Sequence, residues 1–123
     1  MITGVVTARR EAIIRLIVRS PNGSEQEVEA VIDTGFNGWF SLPPALITAL
    51  QLPWLTQGRG LLADGSSTVF DIYQVTIIWD GQPRNIPVEA ADTDPLVGMS
   101  LLYGYELHIQ AVDAGTVTIT RLP

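Results

Sequence analysis

The sequence predicts a mainly β protein built from short strands with one or two short helices, and three observations carry that expectation. Apolar and polar residues alternate with a period of two over residues 12–19 and 25–32, the spacing of a half-buried strand. Turn-forming stretches recur between the apolar runs, at Pro21-Asn22-Gly23-Ser24, Asp64-Gly65, Asp80-Gly81 and Asp113-Ala114-Gly115, each offering residues that tolerate a reversal. The chain has 123 residues and no linker or low-complexity stretch, so residues 1–123 are expected to form one domain around one core.

Each element is read from its local pattern. Residues 11–19 place Ala12, Ile14, Leu16 and Val18 on one face, and Ile13 and Ile17 with Arg15 and Arg19 on the other. After the turn at 21–24, residues 25–32 put Glu25, Glu27 and Glu29 on one side and Val28, Ala30 and Ile32 on the opposite one. Carboxylates spaced evenly along a strand do not converge on an ion, so this row is a solvated face and no metal is expected. A short helix is predicted over residues 43–52, with proline in its first turn, Leu46, Ile47 and Leu50 on one stripe, and Pro53 closing it. Strands at 61–63 and 69–79 flank Asp64-Gly65, and Asp80-Gly81 leads into another at 84–91. A second short helix is predicted over 101–105, then a hairpin of residues 106–112 and 116–122 around Asp113-Ala114-Gly115.

Composition removes several functional classes. The net charge is -6 and the seven basic residues are scattered, so no positive stripe exists for nucleic acid. The absence of cysteine leaves neither a disulfide framework nor a thiol nucleophile, which fits a reducing compartment. The apolar runs are broken by Arg, Pro, Gly or Asp, so neither a signal peptide nor a membrane span is expected and the protein reads as cytoplasmic. His108 stands in a predicted strand without a second metal-ligating neighbour, Asp92 and Asp94 read as a solvated turn, and Gly58-Arg59-Gly60 lacks the strand-to-helix setting of a phosphate loop.

The chemistry concentrates at Asp33-Thr34-Gly35, entered through Val31-Ile32 and left through Phe36-Asn37-Gly38-Trp39-Phe40. An acid on a tight turn between two apolar runs is costly unless partnered, and carboxylates in such places concentrate at catalytic sites. As a turn alone, the triplet would be ordinary. Its context resembles the retropepsin-like aspartic proteases, the clan of the retroviral proteases and their small bacterial single-domain relatives. Their pattern is two apolar residues, Asp-Thr-Gly, then an apolar strand leading to a helix, here Val31-Ile32-Asp33-Thr34-Gly35 followed by Trp39-Phe40-Ser41-Leu42 and Pro43-Pro44. The clan's second signature, two apolar residues and a glycine opening a helix, is matched by Leu96-Val97-Gly98-Met99-Ser100-Leu101-Leu102. Leu61 to Ser67 falls where the clan places its flap hairpin, and the resemblance spans nearly the whole chain.

The resemblance implies a closed β-barrel of the acid-protease fold, needing no cofactor, that hydrolyses peptide bonds. That reaction uses one carboxylate as general base on water and one carboxylic acid on the scissile carbonyl, the two sharing a proton. One Asp-Thr-Gly in 123 residues supplies half of the pair, and a two-fold axis between identical chains supplies the other, so a homodimer is expected. Asp33 would then do the proton chemistry, Thr34 would bond across the axis, and Gly35 would let the two backbones approach. Ala63, Asp64 and Gly65 are the expected flap tip over an extended peptide or protein substrate. Relatives working at acid pH carry a hydroxyl residue directly after the triplet; Phe36 stands there instead, which predicts a shared proton kept to higher pH. The C-terminal hairpin is the expected dimer surface, the alternative being that it packs on its own subunit. The alternative is a retropepsin-like dimerisation or peptide-binding module that has lost turnover.

Overall fold

The computed structural model describes all 123 residues. Strands hold 54% of the chain and helices 8%, with six strands closed into a barrel, so the mainly β class is observed. In chain order the elements are β1 (Ile2–Val6), β2 (Ala12–Arg19), β3 (Glu25–Ile32), β4 (Phe40–Leu42), α1 (Pro44–Ala49), β5 (Trp54–Leu61), β6 (Ser67–Trp79), β7 (Gln82–Ala90), β8 (Leu96–Val97), α2 (Met99–Leu102), β9 (Tyr105–Ile109) and β10 (Thr116–Arg121). The sheet runs β5-β6-β7-β4-β8-β3-β2-β1-β10-β9. Pairing of Ile17, Val18 and Arg19 with Ile78, Ile77 and Thr76 closes the ring β2-β3-β8-β4-β7-β6.

One strand insertion governs the path of the chain after Ile32. β3 and β4 are neighbours in sequence, yet β8 lies between them, parallel to β3 and antiparallel to β4. The connection 33–39 must therefore pass over the end of an inserted strand instead of closing a hairpin.

The alternation seen in the sequence sets the core. Ile14, Leu16 and Val18 from β2 meet Val28 and Ala30 from β3, Phe40 and Leu42 from β4, Ile86 and Val88 from β7, and Val97 from β8 in one buried cluster. Ile13, expected on the outer face of its strand, is also buried, because its cross-strand neighbours on that side are Val31 and Val5. Glu25 pairs with Arg19 directly opposite at 2.9 Å, and Glu27 reaches Arg15 on the diagonal at 3.8 Å, exposed pairs worth at most about 1 kcal/mol each. Asp80 and Gly81 both have positive φ, 51° and 78°, the two-residue reversal that matches strand twist. No helix is long and apolar enough to cross a membrane.

Several expected boundaries are corrected. The first helix is Pro44–Ala49, not 43–52, because Gln51 turns left-handed at φ 53° and Pro53 disfavours helical backbone at Leu52. The second is Met99–Leu102, not 101–105: the Gly98 carbonyl accepts the amides of Leu101 and Leu102, and Gly104 at φ 90° turns the chain into β9. β1 is an additional strand with no sequence expectation behind it, and β5 begins at Trp54, well before residue 61. Most of β5 is exposed, so no alternation marks it. Ala63 lies in the turn and not in a strand, since the Leu62 amide bonds the Ser66 carbonyl at 2.7 Å. The hairpin strand expected at 106–112 is Tyr105–Ile109, for the Val112 amide turns back onto the Gln110 carbonyl.

Truncation of a side chain in the closed ring should be far more damaging than truncation on the β5–β6 arm. Phe40→Ala, at a wholly buried position, is expected to cost about 3–5 kcal/mol of unfolding free energy in urea. Val69→Ala, on an exposed residue of β6, should stay within about 0.5 kcal/mol.

Candidate active site

The Asp33 loop is built by hydrogen bonds from β8 and the turn after it. The amides of Val31 and Asp33 donate to the carbonyls of Pro95 and Val97, both at 2.9 Å, which carries the β3 ladder to the acid itself. The chain then folds tightly, Phe36 amide to Asp33 carbonyl at 3.2 Å. One carboxylate oxygen, Oδ1, accepts the Gly35 amide at 3.0 Å. Asp33 is half-buried, while Thr34 and Gly35 are exposed, so the acid is gripped from behind and open in front.

The return of the loop is clamped by the second motif. Gly98 amide bonds Trp39 carbonyl at 3.0 Å, Met99 amide bonds Phe36 carbonyl at 2.8 Å, and Ser100 amide bonds Gly38 carbonyl at 3.1 Å. The Ser100 hydroxyl adds a bond to the Asn37 carbonyl at 2.6 Å. Four loop carbonyls that would otherwise lack partners are thereby satisfied. Gly98 makes the approach possible: a Cβ there would overlap the Gly38 carbonyl oxygen and stand 2.8 Å from that of Phe36. Further down, the buried Ser41 hydroxyl accepts the Leu96 amide at 3.2 Å.

Strand register places the chemistry on one side of the sheet. Val31, Leu96, Ser41, Glu89 and Ile72 are successive cross-strand partners, and Asp33 is two residues beyond Val31, so it continues that row. On the opposite face, Ala30, Val97, Phe40 and Val88 are fully buried and form the core side. Glu89 is a residue that sequence reasoning misses; its only signal is an acid between Val88 and Ala90 in an otherwise apolar strand end. Its half-buried carboxyl has no hydrogen-bond or salt-bridge partner, and desolvation pushes it above the ordinary value of 4.5.

The expected substrate-binding residues lie on a different element. Ala63, Asp64 and Gly65 form the exposed tip of the β5–β6 hairpin, with Gly65 at φ 86°, and no hydrogen bond joins them to the Asp33 loop. Asp64 accepts the Ser66 hydroxyl at 2.6 Å and the Ser66 amide at 2.9 Å. These bonds, the hydroxyl first, hold its carboxyl below the usual 3.8, so the acid serves its own turn. Leu61 is 83% exposed, and Leu62 and Val69 are also open. The structure thus unites residues 31–40 with 96–100, and leaves 63–65 at the end of a separate arm. His108 is exposed on β9 opposite Thr118, and Gly58-Arg59-Gly60 is part of β5.

No known protein family and no curated protein matches the chain. Its chemistry therefore rests on the geometry of this loop. An exposed-front carboxylate on a rigid turn can act as a proton acceptor or donor toward a group brought to it, provided a second group completes the reaction.

Two outcomes test this geometry. Gly98→Ala should separate the loop from α2 and lower stability by about 2 kcal/mol or more in urea, whereas Ser100→Ala, losing one hydrogen bond, should cost about 1 kcal/mol. For Glu89, the folded state binds its proton more tightly than the unfolded chain. Its effect is nil below about pH 4.5, and stability is then lost as pH rises through the folded-state value. Glu89→Gln should therefore match the parent at low pH and exceed it at neutral pH in thermal melts.

Proposed function

We propose that the chain is a retropepsin-like aspartic endopeptidase whose active site forms between two identical subunits. The observation that carries this reading is the clamp, in which Leu96–Ser100 holds an acid-bearing turn rigid from behind while its carboxylate stays open in front. Those bonds satisfy the loop carbonyls in any case, but few turn residues need to be held so firmly. Catalytic groups do, because small displacements of a reacting group lose rate steeply.

The single chain holds only half of the machinery. Asp33 has the Gly35 amide as its side-chain partner, and none of the cavities in the chain is lined by it. A second copy facing the first brings two carboxylates together, where like charges about 3 Å apart share one proton. The ionised member takes a proton from water, the resulting hydroxide attacks the peptide carbonyl, and the protonated member gives its proton to the carbonyl oxygen. Collapse of that tetrahedral species, with a proton delivered to the leaving nitrogen, breaks the C–N bond and restores the shared proton. Thr34 and Gly35, exposed beside Asp33, are the residues that meet the partner loop.

Surface chemistry supports pairing near that loop. A mostly apolar depression of about 380 Å³ is lined by Val6, Ala12, Ile32, Ile109 and Val112 among others, reaching from the residue before Asp33 to the C-terminal hairpin. β9 is one of the two edge strands of the sheet, with β5 the other, and an unpaired edge beside apolar surface invites strand pairing. The exposed Leu61, Leu62 and Val69 on the β5–β6 arm suit a flap that closes on an extended peptide by main-chain hydrogen bonds.

The test is cleavage of a mixed peptide library by purified protein. Activity per chain should rise with protein concentration and be blocked by a pepstatin-type inhibitor. Asp33→Asn should lose at least about 10³-fold in kcat/KM, and titrating it into the parent should poison activity through mixed dimers. Cleavage surviving in Asp33→Asn would overturn the assignment. Peptide binding without cleavage by the parent would favour the silent binding module. Because Phe36 offers no hydroxyl to the carboxylates, the pH–rate profile should peak in the weakly acidic to neutral range. A peak among the strongly acid enzymes would refute that role for Phe36.

A further inference from the structure

The row of side chains that leads across the sheet from Asp33 holds one half-buried charge that the proposed reaction does not use, the Glu89 carboxylate. Its row is fixed by register, β3 to β8 to β4 to β7 to β6 through Val31, Leu96, Ser41, Glu89 and Ile72. Three interstrand steps of about 4.8 Å put it roughly 14 Å across the sheet from Val31, the reach of about four residues of extended peptide. A side chain a few residues from a bond held at Asp33 would reach that distance.

Three details make the position a receptor for a charge. Nothing in the chain neutralises the carboxylate, for the ion pairs of the protein lie elsewhere. Arg84 of the same strand has the opposite parity and lies over the Trp39 ring at 5.2 Å, and Arg59 on β5 faces away from the Gly58–Phe70 and Thr56–Ile72 pairs. Part of the side chain stays in solvent, and its Oε1 lies over Gly38 beside the Phe36 ring, 3.0 Å from where a Cβ would stand, with the ring at 2.5 Å. Around it the surface is apolar, with Ile72 directly opposite on β6 and the Phe36 ring beside Gly38. An unpaired, half-desolvated acid in an apolar setting is unfavourable unless a partner arrives.

We propose that Glu89 is a specificity-determining residue that selects a substrate carrying a long cationic side chain, arginine or lysine, a few residues from the scissile bond. The chemistry fits at both ends: the methylene stem lies against Ile72 and Phe36, and the cationic head meets the carboxylate. This inference rests on the peptidase reading for its substrate, but not for its site. Attraction to a bound cation offsets the desolvation that raises the Glu89 pKa, so the acid is ionised when it is used.

The experiment compares peptides that differ only by arginine or norleucine at successive positions around one cleaved bond. The parent should prefer arginine at one position by about tenfold or more in kcat/KM. Glu89→Gln should bring that ratio near one while leaving the norleucine peptide within about twofold, and Glu89→Arg should prefer glutamate at the same position. An unchanged ratio in Glu89→Gln overturns the proposal. If the parent cleaves none of the peptides, the peptidase reading fails separately, and fluorescence anisotropy with the same peptides decides the site. Tighter binding of the arginine peptide by the parent than by Glu89→Gln keeps it; equal binding overturns it. A melting temperature for Glu89→Gln at or above the parent's, at neutral pH, verifies that the variant is folded.

Discussion

The backbone clamp between the Asp33 loop and the turn at Gly98 is the constraint from which the rest of the molecule is best understood. Inserting β8 between β3 and β4 denies the connection 33–39 the ladder partners a hairpin would supply. Its carbonyls would be unsatisfied in a partly buried place, which is costly. The amides of Gly98, Met99 and Ser100, together with the Ser100 hydroxyl, take up those carbonyls. Only a glycine at 98 lets the two backbones come that close. The same bonds that repair the topology also immobilise the acid.

A second consequence comes from parity. In a sheet, adjacent residues face opposite sides, so Ala30, Val97, Phe40 and Val88 form a sealed core while the next row, from Val31 to Ile72, buries Ser41 but leaves Glu89 half-exposed. Asp33 and Glu89 belong to that second row. The barrel interior thus carries the hydrophobic stabilisation, about 25 cal/mol for each Å² of apolar surface removed from water, and the polar exceptions collect on one side. Asp64 shows the contrast: its Oδ1 is held by its own turn through Ser66, whereas the Glu89 carboxyl has no hydrogen-bond partner within the chain.

The single chain leaves apolar surface open in several places, among them the tip of the β5–β6 arm and the depression between Ile32 and Val112. In the proposed dimer these regions have separate uses, one closing on substrate and one on the partner subunit. An active site assembled from two chains ties turnover to concentration, because half a dyad has no proton to share.

Local signals in the chain were enough for the mainly β class, the pairing strands β2 and β3, the turns at Gly23, Asp64-Gly65 and Asp80-Gly81, and the two motifs around Asp33 and Gly98, since period-two alternation and turn chemistry involve near neighbours. They left β1 and most of β5 unseen, for β1 is short and β5 is exposed on both faces and so lacks a pattern. They also extended both helices too far, because left-handed turns at Gln51 and Gly104 depend on what the next strand must reach. The meeting of residues 36–39 with 98–100, sixty positions away, and the placement of Glu89 on the Asp33 side of the sheet emerge only in the folded molecule. Both depend on which strand lies beside which, and that order is set by closing the barrel around a common core, not by any residue's immediate neighbours.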